Sequence, residues 1–161
     1  KRCADSVSSY DQKLTRNILG VWHARNADVR PTQRTAMTVC LDSWAVIEWL
    51  EDRPSAALIE KAIASRPVIS LVNVCEVLYI ISKKHGEKAS NQVLPALRQK
   101  LRFVEVDQDL AVSAAKIKAT YKMALVDAFC VATALAHNAK IFTGDPEIIR
   151  AKGNWKVQDL R

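Results

Sequence analysis

The acidic residues that are best placed to take part in catalysis or metal binding lie where apolar segments begin or end. An unpaired charge would be costly to bury there, so each carboxylate needs a partner or a function. Carboxylates held close together raise one another's pKa unless a cation neutralises them. Oxygen ligands without a nearby histidine suit Mg2+ or Mn2+, which can activate water for attack on a phosphodiester. Four carboxylates share this placement, and they are Asp42, Glu76, Asp127 and Asp145.

Each of the four also fits an ordinary structural role when it is considered alone. Asp42 and Asp127 could be helix caps, and Asp145 could belong to a turn. Asn73 and Glu76 have the spacing of a capping box, in which two side chains satisfy backbone N–H groups at the start of a helix. The case for a shared site depends on whether the fold brings the four acids together.

Strand and helix signals alternate along the chain after Met37, without hairpin signals. Short apolar strands are predicted at residues 38–41, 67–70, 102–106 and 140–143, with an edge strand at 155–157. Helices are predicted at residues 43–52, shortly after Pro54, and at 71–84, 88–100, 109–121, 126–137 and 146–151. This alternation predicts an α/β fold with a parallel sheet and helices on both of its faces.

Two of the predicted strands, the first and the fourth, end at an acid. Such strands are typically neighbours across the switch point of a doubly wound sheet, so Asp42 and Asp145 would converge on one crevice. Asp127 would lie at the mouth of the helix between them. The elements therefore predict a site at the carboxyl edge of the sheet.

The composition indicates one globular domain. A chain of 161 residues that is 49% hydrophobic can form one core but is short for two. A net charge of +7 favours a polyanionic partner such as nucleic acid. No apolar run approaches the roughly 20 residues that span a bilayer, so no membrane is predicted. The cysteines form no CxxC pair, and Cys40, Cys75 and Cys130 lie in apolar runs, which indicates core packing in a reducing, cytoplasmic compartment.

Four sequence blocks carry a family resemblance. They read, in order, CLDSWAV, NVCEVLYI, ALVDAFCVATA and IFTGDPEI. In order and spacing they resemble the PIN-domain ribonucleases of the VapC toxin type, over nearly all of the chain after residue 36. The resemblance implies a Rossmann-like three-layer α/β/α fold, whose central parallel sheet has four to five strands in the order 3-2-1-4-5. It also implies hydrolysis of RNA with Mg2+ or Mn2+, a cognate antitoxin protein and a homodimer.

The resemblance further implies roles for individual residues. Asp42, Asp127 and Asp145 would bind Mg2+ or Mn2+, and Glu76 would complete the catalytic group and help to position the attacking water. Three polar residues beside these acids would support them, and they are Ser43, Asn73 and Thr143. Trp44 is a departure, since it is bulkier than the small residue that often follows the first acid.

The first 36 residues are a second departure, because members of the family generally lack such a segment. They contain seven Lys and Arg against three Asp, and one short apolar stripe. We interpret residues 1–36 as a leader of uncertain origin, either upstream or expression-derived sequence or an interaction arm. Residues 37–161 then form the PIN-like nuclease domain.

The sequence thus predicts a metal-dependent endoribonuclease that is the toxin of a toxin–antitoxin pair. Two alternatives stay open. A phosphoacceptor receiver domain shares the parallel fold and an acidic pocket, although it usually has paired acids where this chain has Asp42 alone. A PIN fold without catalytic activity could instead serve as an RNA- or protein-binding module.

Aromatic and basic residues could extend the acidic site toward a nucleic acid. Trp44 and Trp49 could stack on RNA bases, although Trp49 is more typical of a core or dimer contact. Six lysines could form a phosphate-binding rim or could lie on solvated helix ends, and they are Lys83, Lys84, Lys88, Lys116, Lys118 and Lys122.

Overall fold

The computed structural model describes residues 37–161. The leader proposed for residues 1–36 therefore lies outside the described residues. Within them, the strands are β1 (Val39–Leu41), β2 (Val68–Ser70), β3 (Arg102–Val104), β4 (Lys140–Thr143) and β5 (Lys156–Asp159). The helices are α1 (Ser43–Leu50), α2 (Ala56–Ile63), α3 (Leu71–His85), α4 (Glu87–Lys100), α5 (Gln108–Thr120), α6 (Leu125–Ala136) and α7 (Pro146–Arg150).

The strands form one parallel sheet in the order β3-β2-β1-β4-β5. The order changes direction between β1 and β4, whose register pairs Cys40 with Ile141. The carboxyl ends of strands at such a switch point border a crevice in which ligands bind. The predicted fold class, strand order and pairing of the first and fourth strands are confirmed.

The sheet separates two hydrophobic cores, because successive residues of a strand point to opposite faces. Leu41 and Ile69 belong to the core beneath α1 to α4. Cys40 and Val68 belong to the core beneath α5 to α7. This arrangement is the predicted three-layer α/β/α sandwich. Helices from both outer layers begin at the carboxyl edge of the sheet.

The predicted capping box at Asn73 and Glu76 was wrong. Helix α3 begins directly after β2, and the Ser70 hydroxyl caps it by accepting a hydrogen bond from the N–H of Val72 at 3.1 Å. Asn73 and Glu76 therefore lie inside the helix, where the first backbone N–H groups do not require their side chains. Both are left available for contacts across the crevice.

Helix α4 continues through Pro95 without interruption. Proline lacks an N–H, so the carbonyl of Asn91 loses its usual helical partner. Both residues are exposed, and water can therefore bind that carbonyl. The helix tolerates its proline because the affected carbonyl faces solvent.

The cysteines differ in burial. Cys40 and Cys130 are buried in the second core, whereas Cys75 is exposed. The prediction that all three pack in the core was therefore wrong for Cys75, which lies on the solvent side of α3. In residues 37–161, no helix combines the length and the apolar character needed to cross a membrane.

Candidate active site

Asp42 lies at the centre of the switch-point crevice, between β1 and the first turn of α1. Its side chain is only 2% exposed, and both of its oxygens accept hydrogen bonds. Oδ1 accepts from the N–H of Ser43 at 2.7 Å and from the Asn73 amide at 3.3 Å. Oδ2 accepts from the Thr143 hydroxyl at 2.7 Å. Donors from α1, α3 and β4 thus orient this carboxylate.

The predicted supporting residues form a network around Asp42. The Asn73 amide donates to the Ser43 hydroxyl at 3.1 Å, and that hydroxyl donates to the Asn73 backbone carbonyl at 3.2 Å. Both side chains are buried, and among the described residues Asn73 Oδ1 has no hydrogen-bond partner. These bonds join the first turns of α1 and α3 beside the acid.

Thr143 links Asp42 to the fourth acid. Its hydroxyl donates to Asp42 and accepts a hydrogen bond from the N–H of Asp145 at 2.8 Å. Asp145 then caps α7 by accepting from the N–H of Glu147. Asp145, which the sequence suggested as a turn residue, is thus the N-cap of α7, and its carboxylate lines the same pocket as Asp42.

Asp127 approaches the crevice from the opposite core. It is the third residue of α6 rather than its N-cap, which is Ala124. Its Oδ2 accepts from the N–H of Ala124 at 3.3 Å, and a helix N-terminus favours a negative charge at this place. The side chain is 7% exposed, so the carboxylate is buried close to the end of the sheet.

The acids influence one another electrostatically. The pKa of Asp42 is raised to about 6, and burial is the main cause. Hydrogen bonds from Thr143 and Ser43 lower this pKa, whereas the charges of Asp145 and Glu76 raise it. Two carboxylates from α3 and from the start of α7 thus act on Asp42. The four predicted acids are one cluster in the folded protein.

The pKa of Asp127 is raised to about 7. Burial is again the largest cause, and the charges of Asp42 and Asp145 add to it. Glu147 contributes as well, and its carboxylate accepts a hydrogen bond from the N–H of Ala124 at 2.7 Å. Glu147 is therefore a fifth acid of the site, and only its position in the fourth sequence block, two residues after Asp145, could have indicated it.

The donor chemistry of the cluster suits a hard divalent cation. All five groups are carboxylates, and their mutual repulsion would be relieved by a bound cation. Within residues 37–161, no group of three or more His, Cys, Asp or Glu side chains is already arranged to hold a metal ion. The acids therefore fit such an ion chemically, without forming a closed set of ligands.

A pocket of about 840 Å³ opens over the acids. Its apolar walls include Trp44 and Ile47 from α1 and Tyr79 and Ile80 from α3. Basic residues also line it, and they are Arg53, Lys83 and Lys84. The pocket is large enough for part of a nucleic acid strand, and its floor is acidic.

The Trp44 ring packs against the backbone of Gly144, between Thr143 and Asp145. A Cβ atom added to Gly144 would lie 2.5 to 2.7 Å from three atoms of the ring. Glycine therefore permits the tryptophan to approach the end of β4. Trp49, by contrast, is 4% exposed and lies in the first core, as expected from its sequence context.

The six lysines do not form one rim. Lys83 and Lys84 line the pocket over the acids, and Lys84 is also paired with Glu51 at 3.1 Å. Lys122 lines a neighbouring cavity of about 510 Å³ with Arg150. The other three, which are Lys88, Lys116 and Lys118, line neither cavity.

Comparison with known proteins identifies the family. The family model described as PIN domain matches residues 39–154. A search of curated proteins found no match. Among solved structures, a toxin–antitoxin complex from Klebsiella pneumoniae has a chain that is 23% identical, with a TM-score of 0.62 over 77% of this chain and 98% of that one.

Two further structures share the fold at lower identity. A DNA-bound VapBC complex from Salmonella typhimurium is 14% identical, with a TM-score of 0.65 over 78% of this chain and 100% of that one. The Mycobacterium tuberculosis toxin VapC20, described as sarcin-ricin loop cleaving, is 16% identical, with a TM-score of 0.58 over 71% and 95%. Since the family model covers well over half of the sequence, this chain belongs to the PIN-domain family.

Proposed function

We propose that this PIN-domain protein is a divalent-metal-dependent endoribonuclease that hydrolyses RNA phosphodiester bonds and is the toxin of a toxin–antitoxin pair. The observation that carries the proposal is the convergence of Asp42 and Asp127 with Asp145 at the switch point, where burial and mutual charge raise the pKa values of the first two. A buried acidic cluster of this kind is suited to bind cations and phosphate esters together.

In this proposal, Asp42, Asp127 and Asp145 hold Mg2+ or Mn2+, and Glu76 completes the acidic group and orients the attacking water. The bound ion supplies charge neutralisation and a lowered pKa for a water ligand. The hydrogen bonds from Ser43, Asn73 and Thr143 hold the Asp42 carboxylate in one orientation. Glu147 adds negative charge at the outer edge of the same site.

The proposed partners follow from the similar structures. The Klebsiella and Salmonella proteins are toxin–antitoxin complexes, so we propose that a cognate antitoxin protein covers the acidic pocket and silences it. The VapC20 toxin is described as cleaving the sarcin-ricin loop, which supports a structured RNA as substrate. We also propose a homodimer as the active assembly.

The test is cleavage of RNA by the purified chain with Mg2+ or Mn2+ and with EDTA. We expect cleavage only with the metal ion, and a loss of at least about a hundredfold in Asp42→Asn and Asp127→Asn, because each removes a charge at the centre of the site. Asp109→Asn on the exposed face of α5 is the matched control and should retain full activity. Full activity in either site variant would remove the proposed mechanism.

The alternatives give different outcomes in the same experiment. The buried carboxylate of Asp42 accepts three hydrogen bonds, and the family match places the chain outside the receiver class. A binding module would retain RNA without cutting it under any metal condition.

A further inference from the structure

One side of helix α3 forms a wall of the pocket from the acids outward. Glu76, Tyr79, Ile80, Lys83 and Lys84 line the pocket. Their spacing of three and four residues places them on one helical face. From Glu76 to Lys83 the helix rises about 10 Å, at 1.5 Å per residue. This face changes from acidic beside Asp42 to aromatic and then to basic.

Tyr79 is the prominent aromatic residue on this face. It is 60% exposed, so its ring is available to a ligand in the pocket. Lys83 Nζ lies 5.8 Å from the centre of that ring. A nucleobase can stack on such a ring whatever its identity, and a neighbouring cation can bind the phosphate of the same strand.

Lys83 also differs from the other basic residues of the pocket. Arg53 is paired with Glu48 and Glu51, and Lys84 is paired with Glu51. Within residues 37–161, no carboxylate lies within ion-pair distance of Lys83. Of these three basic residues, Lys83 is therefore the one that can bind a phosphate without breaking an ion pair.

We propose that Tyr79 and Lys83 form a nucleotide-binding subsite for RNA, next to the acidic centre. The Tyr79 ring stacks on a base, and the Lys83 ammonium binds a phosphate of the same strand. The subsite rests on the proposed function only in taking RNA as the ligand. Because stacking needs an exposed base face, the subsite selects unpaired nucleotides in a loop, bulge or end, and rejects duplex RNA.

Binding can be measured apart from cleavage by fluorescence anisotropy in EDTA. The probe is a short fluorescein-labelled single-stranded RNA, and the same RNA annealed to its complement is the comparison. We expect Tyr79→Leu to weaken single-strand binding roughly tenfold and Tyr79→Phe to retain it, because only phenylalanine preserves the stacking face. The duplex should bind weakly, and Tyr79→Leu should not change its affinity.

Lys83→Ala should weaken binding and lower the slope of log affinity against log salt by about 0.7, the value for one phosphate contact on a single strand. Lys88→Ala is the matched control, since Lys88 is exposed on α4 and does not line the pocket. It should leave both affinity and slope unchanged.

Three outcomes would overturn the subsite. They are wild-type affinity in Tyr79→Leu, an equal loss in Tyr79→Phe, and a change of oligomeric state on gel filtration in Tyr79→Leu, which would make the ring a contact between copies. The two proposals can also fail separately. Binding that depends on Tyr79 and Lys83 without metal-dependent cleavage would refute only the nuclease. Cleavage with unchanged binding in both variants would refute only the subsite.

Discussion

Both oxygens of the Asp42 carboxylate accept hydrogen bonds, and this limits how the side chain can move. The donors are the N–H of Ser43, the Asn73 amide and the Thr143 hydroxyl. A carboxylate fixed in this way presents the same lone pairs to any ligand that enters the pocket. The contribution of Asp42 to the site is therefore a fixed orientation as well as a charge.

Asp127 makes the stability of the protein depend on pH. Its pKa is raised from 3.8 to about 7, so the folded state retains a proton that the unfolded state releases. The free energy of unfolding should therefore fall as pH rises from about 4 to about 7. This cost of ionising the buried carboxylate should remain at higher pH. Asp42, with a pKa of about 6, acts in the same direction.

Asp127→Asn removes this cost, so we expect the variant to be more stable than the wild type at pH values above the raised pKa. The gain should be about 2 kcal/mol, less than the full shift implies, because water reaches the carboxylate from the pocket. Near pH 4 the difference should largely vanish. Urea unfolding in EDTA across this pH range is the measurement, and parallel pH profiles for the two proteins would contradict the prediction.

At the scale of elements, the turn between β4 and α7 brings Thr143 and Asp145 to the site while Gly144 accommodates Trp44. Trp44 is the second residue of α1. Its contact with Gly144 therefore joins the two strand ends that border the crevice. The size of residue 144 therefore sets how closely α1 approaches the end of β4.

Gly144→Ala should destabilise the protein by about 1–3 kcal/mol, because the added Cβ would overlap the half-buried Trp44 ring and force it to move. The same variant should lose cleavage activity, since Thr143 and Asp145 would shift with the turn. Trp44→Ala should remove most of the penalty. Thermal unfolding of the two single variants and the double variant gives the coupling energy directly. A cost that is the same with and without Trp44 would show that the clash is not its cause.

The sequence was sufficient for the elements and for the four main acids because these signals are local. An acid directly after an apolar strand is visible in the chain at Asp42, and Asp145 follows the fourth strand after one glycine. The capping box failed because Ser70 and Asn73 are both good cap residues, and only the end of β2 decides between them. Which residues of α3 face the pocket depends on tertiary packing, so Lys83 could not be separated from Lys88 beforehand.

At the scale of the whole molecule, the acids come from both halves of the chain and from both layers of helices. Asp42 and Glu76 belong to the α1 to α4 side, and Asp127 belongs to the α5 to α7 side. A ligand that binds them together therefore links the two sides across the carboxyl edge of the sheet. Such a ligand should stabilise both sides of the folded domain together.

We accordingly expect Mg2+ to raise the melting temperature of the wild type at pH values above the raised pKa of Asp127. The ion binds the folded state in preference to the unfolded chain, and the shift should grow with ion concentration. Asp42→Asn should reduce this shift strongly, and KCl at matched ionic strength is the control for screening. An equal shift in the wild type and in Asp42→Asn would place the ion elsewhere.

The hydrogen bond between Thr143 and Asp42 joins residues that are 101 positions apart in the chain. During translation, Asp42 leaves the ribosome long before β4 exists, and β1 has no neighbour on that side until β4 inserts beside it. The carboxylate of Asp42 therefore lacks its Thr143 donor for most of the time that the chain is being made. The acidic site can therefore form only after synthesis has moved beyond residue 145.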